Sequence, residues 1–323
     1  MDKTLPILLL TLLGFLSFSG RIGAQGKHKA DLPLIPVPGM LPPLTTLEDP
    51  ILQAGLTRAL AARPVWKSLA DAGKLAVGLV DLSDPNHIRY ASVNGEEMMY
   101  AASLPKIAVL LAAEDAMEKG KLPASPAVLS DLRLMISRSD NQATTRMIDR
   151  LGYRHIEAVL THPRYRLYDR QCGGGLWVGK RYAAGGERYP DPLQGLSHAA
   201  SVSQVCRFYY LLATGRLVSP ARSAHMLAML EAPELKHKFV NTLQQTAPAA
   251  RIFRKSGTWR QWHADSVLVW GEGWQRYILV GLAEDAQGEQ IMRDLVRVAE
   301  ETLQGRTILA LQAPPGVATP SVR

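Results

Sequence analysis

Apolar residues recur at helical spacing from Leu47 to Ala72, broken at Pro64, and the period then changes. Residues 75–82 (LAVGLVDL) read as a strand, Asp84-Pro85-Asn86 marks a turn, and Ile88 to Val93 returns as a second strand. The spacing next predicts a long helix from Ser103 through IAVLLAAEDAMEKG, with Pro105 in its first turn and Gly120 stopping it. Residues 127–137 read as helical, and another helix should run from Asn141 to Arg150, stopped near Gly152. From Pro163 to Ser197 no period holds; the stretch is rich in Gly, Tyr, Arg and Pro. A structureless loop that long inside a compact domain is usually functional. Ser201 to Thr214 is helical again, and strands resume at Ala249–Arg254, Ala264–Trp270 and Tyr277–Ala283. The turn Gly271-Glu272-Gly273 joins the last two, and Gln287 to Leu303 makes an amphipathic terminal helix. Two strands before a helical block and three after it imply one antiparallel sheet built from both ends of the chain. The predicted class is α+β.

The N-terminus adds a different kind of segment. Lys3 precedes an apolar run from Leu5 to Phe18, and small residues lead to Ala24. That order reads as a secretory signal over residues 1–24, short for a membrane span, so an exported, periplasmic or secreted protein is expected. No later segment is apolar enough to cross a bilayer. Residues 25–45 form a Pro-rich leader, and the main domain is expected over 46–304. Within it, 46–102 and 246–304 would make a sheet lobe and 103–245 a helical lobe, with 305–323 a frayed tail. A net charge of +8 raises nucleic acid as a partner, but no basic run or aromatic-interleaved stripe is present. Attraction to an anionic cell envelope accounts for the charge more simply, and no nucleic-acid partner is expected. Cys172 and Cys206 leave two readings open, a disulfide permitted outside the cytosol or two buried thiols.

Three short motifs carry the candidate chemistry. In Ser103-Leu104-Pro105-Lys106 the serine opens a helix and Lys106, three residues on, shares its face. A neutral Lys106 could take the hydroxyl proton and make Ser103 a nucleophile, and the helix N-terminus favours the negative charge that develops. Ser139-Asp140-Asn141 falls between two predicted helices, where Ser139 can relay a proton and Asn141 can both donate and accept. Lys255-Ser256-Gly257 ends a predicted strand; Lys255 offers positive charge to a substrate carboxylate and Gly257 permits close backbone approach. Taken singly, each motif also reads as a helix cap, a turn or a charged strand end. Arg260 and His263, just beyond the third motif, are further candidate carboxylate contacts or simply solvent-facing turn residues.

In this order, S-x-x-K, S-D-N and K-S-G resemble the penicillin-recognising serine enzymes, and class A β-lactamases most closely. YAASLPKIAVLL is similar to that family's nucleophile helix, and MISRSDNQATTRMIDRLG to its S-D-N stretch. The resemblance runs from near residue 47 to near 304. It implies the β-lactamase/DD-peptidase-like fold, an antiparallel sheet flanked by helices plus an all-helical lobe. It also implies a Ser103 acyl-enzyme, with the backbone amides of Ser103 and Thr258 as oxyanion hole. Ser256, Gly257 and Thr258 would bind a small-molecule β-lactam or a peptidoglycan stem peptide. No cofactor and no metal are expected, since no His pair has ligand spacing, and the protein is expected to be a monomer.

Two departures limit the resemblance. Class A enzymes place a Glu in an omega loop, in an E-x-x-L-N setting, to position the deacylating water. Asp169-Arg170 fit the pair that opens that loop, but the Glu position then falls on Cys172, followed by three glycines. A neutral thiol lacks a strong acceptor for a water. The interval from Ser103 to Ser139 is also shorter than the family's, which predicts a more open cleft. The expected function is therefore an exported serine hydrolase opening β-lactam amides or D-alanyl peptide bonds. The alternatives are a penicillin-binding peptidase or esterase that deacylates slowly, or a non-hydrolytic sensor.

Overall fold

A computed structural model describes residue 32 and residues 41–183, 185–231 and 233–312, with side chains to 305. The expected signal segment 1–24, nearly all of the leader before residue 41 and the tail beyond 312 lie outside the described residues.

Helices α1 (Pro50–Ala61) and α2 (Pro64–Asp71) meet at the expected break, each with proline in its first turn. Asp49 caps α1 by accepting from the Leu52 N–H at 2.7 Å. Strands β1 (Leu75–Asp81), β2 (Arg89–Val93) and β3 (Met99–Tyr100) follow, then α3 (Lys106–Glu118), α4 (Pro126–Ser137), α5 (Asn141–Leu151) and α6 (Tyr153–Leu160). The patternless stretch holds β4 (Tyr168–Asp169), β5 (Gly174–Gly175) and β6 (Trp177–Val178), and β7 (His198–Ala200) comes next. Then come α7 (Val202–Ala213), α8 (Pro220–Leu230), α9 (Phe239–Thr246), β8 (Arg251–Trp259), β9 (Trp262–Trp270), β10 (Arg276–Glu284) and α10 (Gly288–Gln312). The terminal helix thus runs past the boundary expected at 304.

The main sheet has the order β2-β1-β10-β9-β8, antiparallel throughout, so strands from both ends of the chain do share one sheet. Both of its faces are covered. Along β1, Leu75, Val77 and Leu79 enter one hydrophobic cluster with α1, α9 and α10. Ala76 and Val80 alternate into a second cluster with α3 and α7. Period-two alternation between two buried faces explains why all seven β1 residues are buried and why Leu75 to Val80 read as an unbroken apolar run. Helix α3 is buried from Lys106 to Met117. Three charged residues lie in that stretch: Glu114 meets Arg222 and His225, Asp115 meets Lys119, and the Lys106 ammonium at the head of the helix forms no ion pair among the described residues.

The stretch 163–197 is not structureless. Tyr168 pairs with Gly175, and β6 pairs with β7, which pairs in turn with β3. Asp191, 2 % exposed, pins the loop by accepting from the Leu193, Gln194 and Leu196 amides and the Tyr168 hydroxyl. Sequence periodicity misses two-residue strands because they are too short to show a period. Cys172 and Cys206 are both free thiols, Cys206 fully buried and Cys172 half-buried, so the disulfide reading is set aside.

Candidate active site

Ser103 does not lie in a helix. It sits in a turn held by i to i+3 bonds, with the Lys106 N–H on Ser103 O at 3.3 Å and the Ala108 N–H on Pro105 O at 2.9 Å. Helix α3 begins only at Lys106, because Pro105 has no N–H and Ala102 takes the left-handed φ of 49°. Strain of that kind persists where surrounding structure imposes it. Here the Ala101 N–H is held by His198 O at 2.9 Å, and Ala102 O accepts from the Tyr182 hydroxyl at 3.0 Å. The Ser103 side chain makes no hydrogen bond among the described residues.

The other two motifs converge on Ser139. This residue also has a left-handed φ, 58°, in the loop between α4 and α5, where Asp140 caps α5 through the Ala143 N–H. Lys106 Nζ donates to Ser139 O at 2.6 Å, Asn141 Oδ1 at 2.8 Å and Ser139 Oγ at 3.3 Å. From the opposite strand, Lys255 Nζ donates to the same Ser139 Oγ at 2.8 Å and to Ser256 O at 2.7 Å. One hydroxyl therefore bridges two buried amines. Burial pushes Lys106 down to about 7, with the Asp140 charge opposing. Burial and the neighbouring cations Lys106, Arg254 and Lys238 push Lys255 well below the ordinary lysine range. Two ammonium groups beside one oxygen repel, so near neutral pH the pair favours one of the two amines losing its proton.

Lys255-Ser256-Gly257 lies inside β8 rather than at its end, since the strand continues to Trp259. Gly257 has a role the sequence did not suggest. A Cβ there would meet Ala101 O at 2.3 Å, Ser103 N at 2.6 Å and Leu104 N at 2.8 Å. The missing side chain lets the Ser103 turn pack directly on β8, and this close approach brings the first motif to the third.

An open cleft of about 530 Å³ is lined by Ser103, Asn141 and Thr258, with Tyr100, Tyr182, His198, Trp259 and Trp262 forming aromatic walls. Lys180, Arg181 and Arg188 add positive charge, and none of the described lining residues is a carboxylate. The Tyr182 ring lies 4.6 Å from Lys106 Nζ, a cation–π distance, and packs on His198 with ring centroids 4.1 Å apart. Burial lowers His198 to about 4, so its ring is neutral; one nitrogen contacts Lys180 O at 3.0 Å.

Several expected residues fall elsewhere. Cys172 lines a separate small cavity with Glu96, Asp169, Arg166 and Gln204, and Asp169 accepts from Arg166. The loop residue beside Lys106 is Tyr182, whereas Cys172, onto which the family's Glu position falls, does not line the cleft. The turn Arg170–Cys172 is tied back by Asp169 accepting from the Gln171 N–H. Neither Arg260 nor His263 lines the cleft. Arg260 sits in the β8–β9 turn with its guanidinium 5.7 Å from the Trp259 ring centroid, and His263 is buried against Gly288. Ser256 is buried in β8 opposite Asp265, whereas Thr258 is exposed to the cleft. Sequence reasoning missed Tyr182, His198 and Lys238. The first two were signalled by the long loop itself; Lys238 stands in no motif.

A family model described as the beta-lactamase enzyme family matches residues 123–303. Among solved structures, a beta-lactamase from Sphaerobacter thermophilus is 21% identical with a TM-score of 0.61, covering 77% of this chain and 97% of its own. PBP-A is 19% identical at a TM-score of 0.59, covering 82% of this chain and 100% of its own. An ancestral class A beta-lactamase is 16% identical at 0.57, covering 74% and 98%. These likenesses establish the β-lactamase/penicillin-binding-protein type of α+β fold. No curated protein sequence matches the chain.

Proposed function

Because the chain belongs to the beta-lactamase enzyme family, we propose that it is a serine hydrolase acting on β-lactam amides or D-alanyl peptide bonds through a Ser103 acyl-enzyme. The observation that carries this reading is the Ser139 hydroxyl held between Lys106 and Lys255, next to the Ser103 turn. Ser103 attacks the amide carbonyl while neutral Lys106 takes its proton. The carbonyl oxygen becomes an oxyanion between the Ser103 and Thr258 N–H groups. Ser139 passes the proton to the leaving nitrogen, Asn141 holds Lys106 and the substrate amide, and Lys255 with Thr258 attracts the substrate carboxylate. Water then hydrolyses the ester. The charged and apolar pattern of residues 1–24 supports an exported protein, and no described helix is long and apolar enough to cross a membrane.

A second reading has an observation in its favour. With no carboxylate among the described cleft residues and the Tyr182 ring over Lys106, a deacylating water has no acidic side chain to orient it. Efficient acylation with slow release fits a penicillin-binding peptidase or esterase. One experiment separates the readings: intact mass of the protein over time with a penicillin, beside Ser103→Ala. A lasting adduct absent from the variant supports slow deacylation. Substrate loss without an adduct, abolished in the variant, supports a working β-lactamase. Neither adduct nor substrate loss overturns both.

A further inference from the structure

Lys238 is a third buried lysine, and it belongs to none of the motifs. It immediately precedes α9 with a φ of 55°, and its side chain is fully buried. Its Nζ donates to Gly257 O at 2.6 Å, Thr258 Oγ1 at 2.8 Å and Ala264 O at 3.1 Å. All three acceptors are neutral, and Lys238 forms no ion pair among the described residues. A buried ammonium without a contacting carboxylate is expensive, so its placement calls for a reason. That placement is also imposed. The next residue, Phe239, donates its N–H to Asp265 Oδ2 at 3.1 Å, and Arg254 grips Asp265 through two bonds at 2.7 and 2.8 Å.

The direction of the Gly257 carbonyl supplies the reason. Strand β8 is at the edge of the sheet, with β9 its one neighbour, and Gly257 faces Ala264 across the pair. Lys238 binds the carbonyls of both, so Gly257 C=O points inward between the strands. In a planar trans peptide the N–H points opposite to the C=O. The Thr258 N–H, at the other end of that same peptide unit, therefore points out of the free edge of β8. Thr258 and Ser103 both line the cleft on that side. A cation on a peptide oxygen draws electrons through the amide and makes its N–H a stronger donor, as in any polarised hydrogen-bond chain.

We propose that Lys238 is a positioning residue that orients and polarises the Gly257–Thr258 peptide, strengthening the Thr258 N–H as the donor to the reacting carbonyl oxygen. The role rests on the acyl-enzyme reading above. It deepens that reading by giving the strand a charge behind the oxyanion site, separate from Lys255, which serves the substrate carboxylate. Lys238 is faced by Asp265 and Glu289, which support its charge, by Arg254 and Lys255, which oppose it, and by His237 and His263. Burial pushes it down to about 8. The charge on the peptide therefore fades as pH rises through that value.

The test uses the whole protein acylated by a penicillin carrying a 13C-labelled β-lactam carbonyl. Isotope-edited infrared spectroscopy reads the ester carbonyl stretch, whose frequency rises as its hydrogen bonds weaken. Lys238→Met should raise that frequency and slow acylation about tenfold, less than the ~10²–10³ lost when an oxyanion donor is removed outright. Lys238→Arg should keep the wild-type band and lose the change near pH 8. If Lys238→Met does not fold, Lys238→Arg beside wild type decides the matter: the wild-type band should rise in frequency as pH passes about 8, and the Lys238→Arg band should not. A Lys238→Met adduct with the wild-type frequency, a wild-type band indifferent to pH, or a Lys238→Arg band that shifts near pH 8 as the wild-type band does, overturns the proposal and leaves Lys238 a structural brace. Failure of wild type to form any Ser103 adduct instead overturns the acyl-enzyme reading, and this role with it.

Discussion

Replacing Gly257 by Ala adds one methyl group and should disable acylation. The new Cβ would lie 2.3 Å from Ala101 O, 2.6 Å from Ser103 N and 2.8 Å from Leu104 N, where ordinary contact begins at 3.4 Å. All three neighbours are backbone, so no side chain can swing aside. The Ser103 turn must retreat from β8 by roughly 1 Å, a displacement of the size that costs about 10²-fold in rate when it moves a reacting group. Neither partner yields easily: β8 pairs with β9 along its whole length, and the turn is tied by the Ala101 N–H to His198 O. Overpacking of this kind also destabilises by about 1–3 kcal/mol. The expected result is thus a modest fall in melting temperature with a disproportionate loss of acylation. Stopped-flow absorbance with a chromogenic β-lactam, beside a thermal melt, measures both. Acylation within threefold of wild type would refute the claim that this contact sets the position of the nucleophile.

Three further outcomes follow from the same geometry. Lys106 must be neutral to accept the Ser103 proton, so acylation should rise as pH climbs through about 7, and Lys106→Arg, protonated throughout, should flatten that limb; its acylation rate should fall about 10²–10⁴-fold, read from pH-dependent stopped-flow traces. Tyr182→Glu would put a carboxylate beside Lys106, and the lifetime of the penicillin adduct by intact mass should shorten at least about tenfold, within the span of general-base catalysis. Cys172→Glu, in its separate cavity, should leave that lifetime unchanged, and a shortening would restore the alignment that the cavity argues against.

Much of this protein was legible in its residues. The continuous apolar run of β1 and the helical block between two sets of strands predicted the sheet, because burial on two faces leaves an unbroken hydrophobic signature. Ser103, Lys106, Ser139, Asn141 and Lys255 were legible as candidates because three motifs in order narrow the chemistry. The helix start was misread at Ser103 because Pro105, one residue before Lys106, is compatible with either a first turn or a preceding bend. Gly257 could be given only a generic meaning, since its real neighbour is backbone more than 150 residues earlier in the chain.

Composition and motif order determined the family resemblance, the fold class and the candidate nucleophile, because those depend on local periodicity and on residue type. Tertiary structure alone decided which loop residue meets Lys106, Tyr182 rather than Cys172. It also decided that His263 turns away from the cleft and that Lys238 reaches the Gly257–Thr258 peptide. These contacts join positions distant in sequence, through short strands and strained turns that carry no period, and only the packed chain brings them within hydrogen-bonding reach.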